Sequence, residues 1–183
     1  MEKIFITGTG RCGPTFLIKL FTFLEFDTGY TRDNYNESIK SSCNAGMEHF
    51  YQENYYIIKS PLIINTIPTI ISDKNVKIKQ IIIPIRDYEK SVKSRVNNGY
   101  APGGFWRAEN ETDQLLFYRT IMSNYLYYMT KYDIPTIFLD FDKMVSDKQY
   151  LFQRLNHILT EKNITFEHFS EIYDEASLTS KPN

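Results

Sequence analysis

Lys3-Ile4-Phe5-Ile6-Thr7-Gly8-Thr9-Gly10-Arg11-Cys12-Gly13-Pro14-Thr15-Phe16-Leu17-Ile18-Lys19-Leu20-Phe21 is the stretch whose reading decides the fold. A short β-branched and aromatic run predicts a strand, three glycines in six residues predict a tight turn, and the apolar run after Pro14 predicts a helix. Glycine turns between a strand and a helix let backbone N–H groups converge on an anion, and the helix N-terminus adds partial positive charge. The plainer reading is a turn that only joins strand to helix.

Outward from this segment, apolar runs alternate with helical patterns. Strands are expected at 3–7, 55–59, 77–85 and 135–140, and helices at 14–26, 62–72, 88–97, 112–131 and 148–160. That alternation predicts βαβ units. The expected architecture is an α/β, three-layer P-loop-type fold, with a central parallel sheet of four to five strands flanked by helices, in one domain over residues 1–183. In the fourth helix Leu115, Tyr118, Met122, Tyr125, Leu126 and Met129 recur at three- and four-residue steps and should face the core. Residues 27–54 and 97–111 give no clear element, and loops at strand ends are where open α/β sheets place ligands.

Against the pattern G-x-x-x-x-G-K-[ST], Gly8, Gly13 and Thr15 fit, but Pro14 stands where the nucleotide-binding lysine belongs. Proline suits the first helical turn and supplies no charge. The nearest cation is Arg11. A second anion motif follows the third strand: Arg86 at its end, Asp87 as a plausible helix cap, then Ser94 two turns on. Guanidinium forks and hydroxyls suit a terminal phosphate.

On these residues the chain resembles the sulfotransferases that use 3′-phosphoadenosine 5′-phosphosulfate (PAPS), closer to small bacterial members than to cytosolic ones. Arg11-Cys12-Gly13-Pro14-Thr15 is similar to the family loop K/R-S-G-T-T, departing at Cys12 and Pro14. Arg86 and Ser94 reproduce the spacing of the family's 3′-phosphate pair, with Tyr88 where a proline is usual. The run 56–63 looks like the strand that ends in a lysine, here Lys59, with Pro61 in place of the catalytic histidine. Residues 136–147 resemble the acidic turn L-x-Y-E-D-L-V-x-D. The resemblance implies cofactor contacts from Gly10, Arg11, Cys12, Gly13, Pro14, Thr15, Phe16 (beside adenine), Arg86 and Ser94, and charge stabilisation by Arg11 and Lys59. The implied product is adenosine 3′,5′-bisphosphate, and no metal is required.

An acceptor hydroxyl must lose a proton, which calls for a carboxylate or imidazole within reach. Glu48 is the first choice, His49 the second and Glu37 a third. His157 and His168 fall in the C-terminal helical region, where packing or surface roles are expected. The loop 99–107, with three glycines, Tyr100, Phe105 and Trp106, suits a lid that excludes water.

The formal net charge of −1 gives no global field that would draw the chain to nucleic acid. No apolar run reaches membrane-spanning length, so a cytoplasmic protein without membrane insertion is expected. Cys12 and Cys43 lack metal-site spacing and are expected as free thiols. The acceptor is expected to be a small molecule, a carbohydrate or a lipid. Two rival readings are a P-loop kinase using Asp140 as a Mg²⁺-linked carboxylate, and a nucleotide-binding module without chemistry.

Overall fold

The computed structural model describes residues 1–40, 45–61 and 63–178; Cys43 and Leu62 lie outside them. Four strands, β1 (Glu2–Ile6), β2 (Ile57–Lys59), β3 (Lys77–Ile85) and β4 (Thr136–Asp140), form one parallel sheet in the order β2-β1-β3-β4. Ile6 pairs with Lys59 on one side and with Ile82 on the other, and Ile85 pairs with Asp140. The residues after β1, β2, β3 and β4 therefore share one edge of the sheet.

Alternation along each strand divides the core. Ile4, Ile6, Ile57, Ile82, Ile137 and Leu139 face one layer, packed by α1 (Pro14–Phe23), α6 (Lys148–Leu159) and α7 (Phe166–Leu178). Phe5, Ile58, Ile81 and Ile83 face the other, packed by α2 (Ile67–Ser72) and α4 (Glu111–Lys131). A parallel sheet covered on both faces needs such continuous apolar strands. Each fully buried large apolar side chain contributes about 1.5–3 kcal/mol. The two remaining helices, α3 (Tyr88–Val96) and the single turn α5 (Phe141–Met144), follow β3 and β4 directly.

Several boundaries differ from the sequence reading. α1 stops at Phe23 rather than Phe26: Glu25 adopts φ 62°, with Phe26 N–H donating to Phe21 O and Glu25 N–H to Thr22 O. That is a Schellman ending with glutamate where glycine is usual, so no sequence signal marks it. The expected helix 62–72 splits into a 3₁₀ turn at Ile63–Asn65 and α2, because Pro68 lacks the N–H that an interior helical position donates and so falls in the first turn. In α4, Leu126 is exposed, while Gln114 and Ile121 join the buried face. α7 buries Phe169, Ile172, Tyr173 and Ala176, a stripe at i, i+3, i+4 and i+7.

Candidate functional site

The turn from β1 into α1 sits at the carboxyl edge of the sheet. Its backbone uses left-handed conformations at Gly10 (φ 89°), Arg11 (φ 57°) and Gly13 (φ 84°). Gly13 is the N-cap residue of α1, with Pro14 in the first turn, and no side chain among the described residues caps the helix by a hydrogen bond. A Cβ on Gly13 would stand 2.7 Å from Met144 Cε and 3.0 Å from the Phe141 ring, so glycine is needed there for space as well as for φ. Beneath the turn, Thr7 Oγ1 shares a 2.5 Å hydrogen bond with the Tyr125 hydroxyl, whose pKa burial pushes well up.

Arg11 Nε donates to Ser94 Oγ at 3.0 Å, and Arg86 Nη1 donates to Arg11 O at 3.0 Å. The two anion motifs, 75 or more residues apart in the chain, thus meet in one chain of hydrogen bonds. Arg86 leans over the Phe141 ring at 4.7 Å, and its Nε is buried without a hydrogen-bond partner among the described residues. Ser91, one turn before Ser94 and Arg95 on the same face of α3, is fully buried, and its Oγ also has no partner among the described residues. Buried donors left unsatisfied cost roughly 1–3 kcal/mol each, which an incoming acceptor recovers.

On the other side of the turn, Lys59 ends β2 with its side chain 2% exposed. Its Nζ donates to Thr15 Oγ1 at 3.0 Å and to Gly46 O at 2.5 Å, and lies 3.3 Å from Glu48 Oε1. The Glu48 side chain is half exposed, so one end of this pair is fixed in the protein and the other faces solvent. His49 turns elsewhere. Its Nδ1 pairs with Glu53 Oε2 at 2.7 Å, its ring lies between Tyr30 and Tyr55, and its Nε2 faces the Cα side of Gly29. Glu37 sits in a 3₁₀ turn, Tyr35–Ser38, whose last residue packs against Gly46, the residue that accepts from Lys59.

Phe16 is buried and packs edge to face on Tyr173 of α7 at 5.4 Å, on the core side of α1. Cys12 is fully buried, and burial pushes its thiol pKa up. Asp140 caps α5, its Oδ1 accepting from Lys143 N at 2.9 Å. His157 contacts Gln80 Oε1 at 3.0 Å near the start of β3, at the opposite edge from the turn.

The loop 97–110 approaches the turn from α3. Its tip carries Tyr100, 82% exposed, while its far end is tied down: Trp106 N–H donates to Gln114 Oε1 at 2.7 Å, and Gln114 Nε2 donates to Trp106 O. Arg95 is a buried cation that the sequence reading did not single out. It adjoins Ser94 and stands at i+4 from Ser91 on the buried helix face, a spacing that was available as a signal.

No protein-family model matches the chain, and no curated protein or solved structure matches it significantly. No helix among the described residues is long and apolar enough to cross a membrane.

Proposed function

We propose that this chain is a sulfotransferase of the P-loop type, which binds 3′-phosphoadenosine 5′-phosphosulfate at the glycine turn and passes its sulfuryl group to a hydroxyl or amine acceptor. The observation that carries the reading is the contact of Arg11 with Ser94, together with the hold of Arg86 on the Arg11 carbonyl. The two phosphates of an adenosine 3′,5′-bisphosphate hang on one ribose, so a donor of that shape needs two neighbouring anion sites. Arg11 at the turn and Arg86 with Ser94 beside it supply that pattern.

In-line transfer leaves negative charge on the bridging and phosphate oxygens of the departing nucleotide. Cations fixed beside those oxygens stabilise the transition state more than the ground state. Arg11 serves this role from the turn, and Lys59, held against Thr15 at the N-terminus of α1, serves it from β2. Glu48, half exposed beside Lys59, takes the acceptor proton, the role that Pro61 cannot fill. The Asp140 carboxylate is engaged in capping α5, and Pro14 carries no charge, which favours sulfuryl transfer over a Mg-nucleotide kinase.

The test is transfer of labelled sulfate from PAPS to a panel of sugars, lipids, phenols and alcohols in the absence of Mg²⁺. Turnover with at least one acceptor is expected. Tight binding of Mg-ATP with phosphate transfer, and no sulfate transfer to any acceptor, would replace this reading with the kinase one.

A further inference from the structure

Arg95 is 7% exposed, yet no carboxylate pairs with it among the described residues. Its partners are neutral. Nε donates to the Tyr118 hydroxyl, Nη1 donates to Gly104 O, and the guanidinium lies 5.5 Å from the Trp106 ring centroid and 5.7 Å from that of Tyr118. Nη2 rests against Gly10, so closely that a Cβ there would collide with it, and Trp106 Cε3 lies 3.8 Å from the same Cβ position. One buried cation therefore touches the glycine turn, the 97–110 loop and α4 at once. Buried charges are ordinarily paired with an opposite charge, and a core that only needed these hydrogen bonds filled is served as well by a neutral amide. Arg86 stands in the same neighbourhood, donating to the carbonyl of the residue next to Gly10, which raises the cost of a second cation unless an anion joins them.

We infer that Arg95 is a positioning residue which couples an oxyanion bound on the glycine turn to closure of the 99–106 loop. The anion supplies the counter-charge that no carboxylate among the described residues provides. The guanidinium fork fixes Gly10 on one side and Gly104 with Trp106 on the other, so ordering of the turn is passed directly to the loop. This inference rests on the oxyanion-binding part of the reading above and is independent of which nucleotide carries the anion.

Trp106 is the only tryptophan, and Arg107 beside it is exposed at φ 53°, so fluorescence and tryptic cleavage at Arg107 both report on the loop. The probe is inorganic pyrophosphate, titrated into the full chain without Mg²⁺. In the wild type, a saturable change in Trp106 emission and slower cleavage at Arg107 are expected. Arg95→Gln should bind pyrophosphate about tenfold more weakly, with a shallower salt dependence, as loss of one charge-assisted contact implies. Arg95→Lys should keep the salt dependence and lose the Trp106 response, because it retains the charge without the fork. If Arg95→Gln does not fold, Tyr118→Phe removes the hydroxyl that orients Nε, and it should weaken the Trp106 response. A wild type that fails to bind pyrophosphate, or binds it with Trp106 silent and Arg107 cut at an unchanged rate, overturns the inference. So does a folded Arg95→Gln with unchanged affinity and salt dependence, or a folded Tyr118→Phe with an unaltered Trp106 response. Adenosine 3′,5′-bisphosphate binding no tighter than pyrophosphate would sink the sulfotransferase reading while leaving the role of Arg95 standing.

Discussion

Lys59 and Glu48 illustrate how side chains of opposite charge divide labour by exposure. The lysine is held on three sides, while the glutamate keeps access to solvent, as its proposed role as base requires. Glu48→Gln should lower turnover by about 10²- to 10⁴-fold, the range associated with loss of a general base, with adenosine 3′,5′-bisphosphate affinity little changed. His49→Gln should leave turnover near wild type, because its imidazole serves Glu53 and the tyrosine pair. Steady-state kinetics on both variants check this, and the opposite ranking would move the base to His49. The sequence placed Glu48 and His49 side by side, but in the fold their side chains take different partners, Lys59 and Glu53, which a list of residue types does not reveal.

Lys19 offers a second test at this scale. It is buried in α1 with Nζ donating to Ala176 O at 2.8 Å, and burial pushes its pKa down to about 8, with Glu175 opposing the shift. A lysine whose pKa is lower folded than unfolded binds fewer protons in the native state between about pH 8 and its unfolded value near 10.4. Its cost to stability is therefore full below pH 8 and is relieved as pH rises through that window. Urea unfolding of wild type and Lys19→Met at pH 7 and pH 9.5 should show the wild type gaining on the variant at the higher pH. A difference independent of pH would contradict the assignment.

Among the elements, the turn from β1 to α1 was the most legible, because its glycines and Pro14 each have a local reason to be where they are. What lay outside the local sequence was why Gly13 cannot carry a side chain: Met144 and Phe141 of α5, more than 120 residues away, close over it. Gly13→Ala should destabilise the fold by about 1–3 kcal/mol, combining backbone strain at φ 84° with that contact. Thermal or urea unfolding measures the loss, and an unchanged midpoint would show that α5 yields freely. The early end of α1 escaped notice because glutamate, not glycine, takes the left-handed position at residue 25. At the start of α4, Asn110 Oδ1 accepts from Asp113 N at 3.0 Å, a cap that the sequence supports but that also anchors the 97–110 loop. Asn110→Ala should cost about 1 kcal/mol and speed proteolysis within the loop. An equal cleavage rate would separate the cap from the loop's anchorage.

For the molecule as a whole, the alternating runs announced a parallel sheet, and the order β2-β1-β3-β4 puts β1 between β2 and β3. That placement sets Lys59 on one side of the glycine turn and Arg86 on the other. Strand order is a long-range property, so the sequence could name both residues without locating them relative to one another. Phe16 shows the converse: its position in a motif implied a ligand contact, while in the fold α1 is buried from Thr15 to Phe23 and the Phe16 ring packs on Tyr173 of α7. The loops at the carboxyl edge of the sheet are the least legible part, because residues 27–40, 45–54 and 97–111 owe their course to contacts with β2, α3 and α4 rather than to a pattern of their own.

The two arginine motifs are proposed to form one anion site. A double-mutant cycle reads this directly: calorimetric titration of adenosine 3′,5′-bisphosphate, without Mg²⁺, into wild type, Arg11→Met, Ser94→Ala and the double variant. Both single variants should bind more weakly, with a coupling of about 0.5–3 kcal/mol between them, as residues in one network show. Strictly additive losses, or wild-type affinity in either single variant, would contradict it.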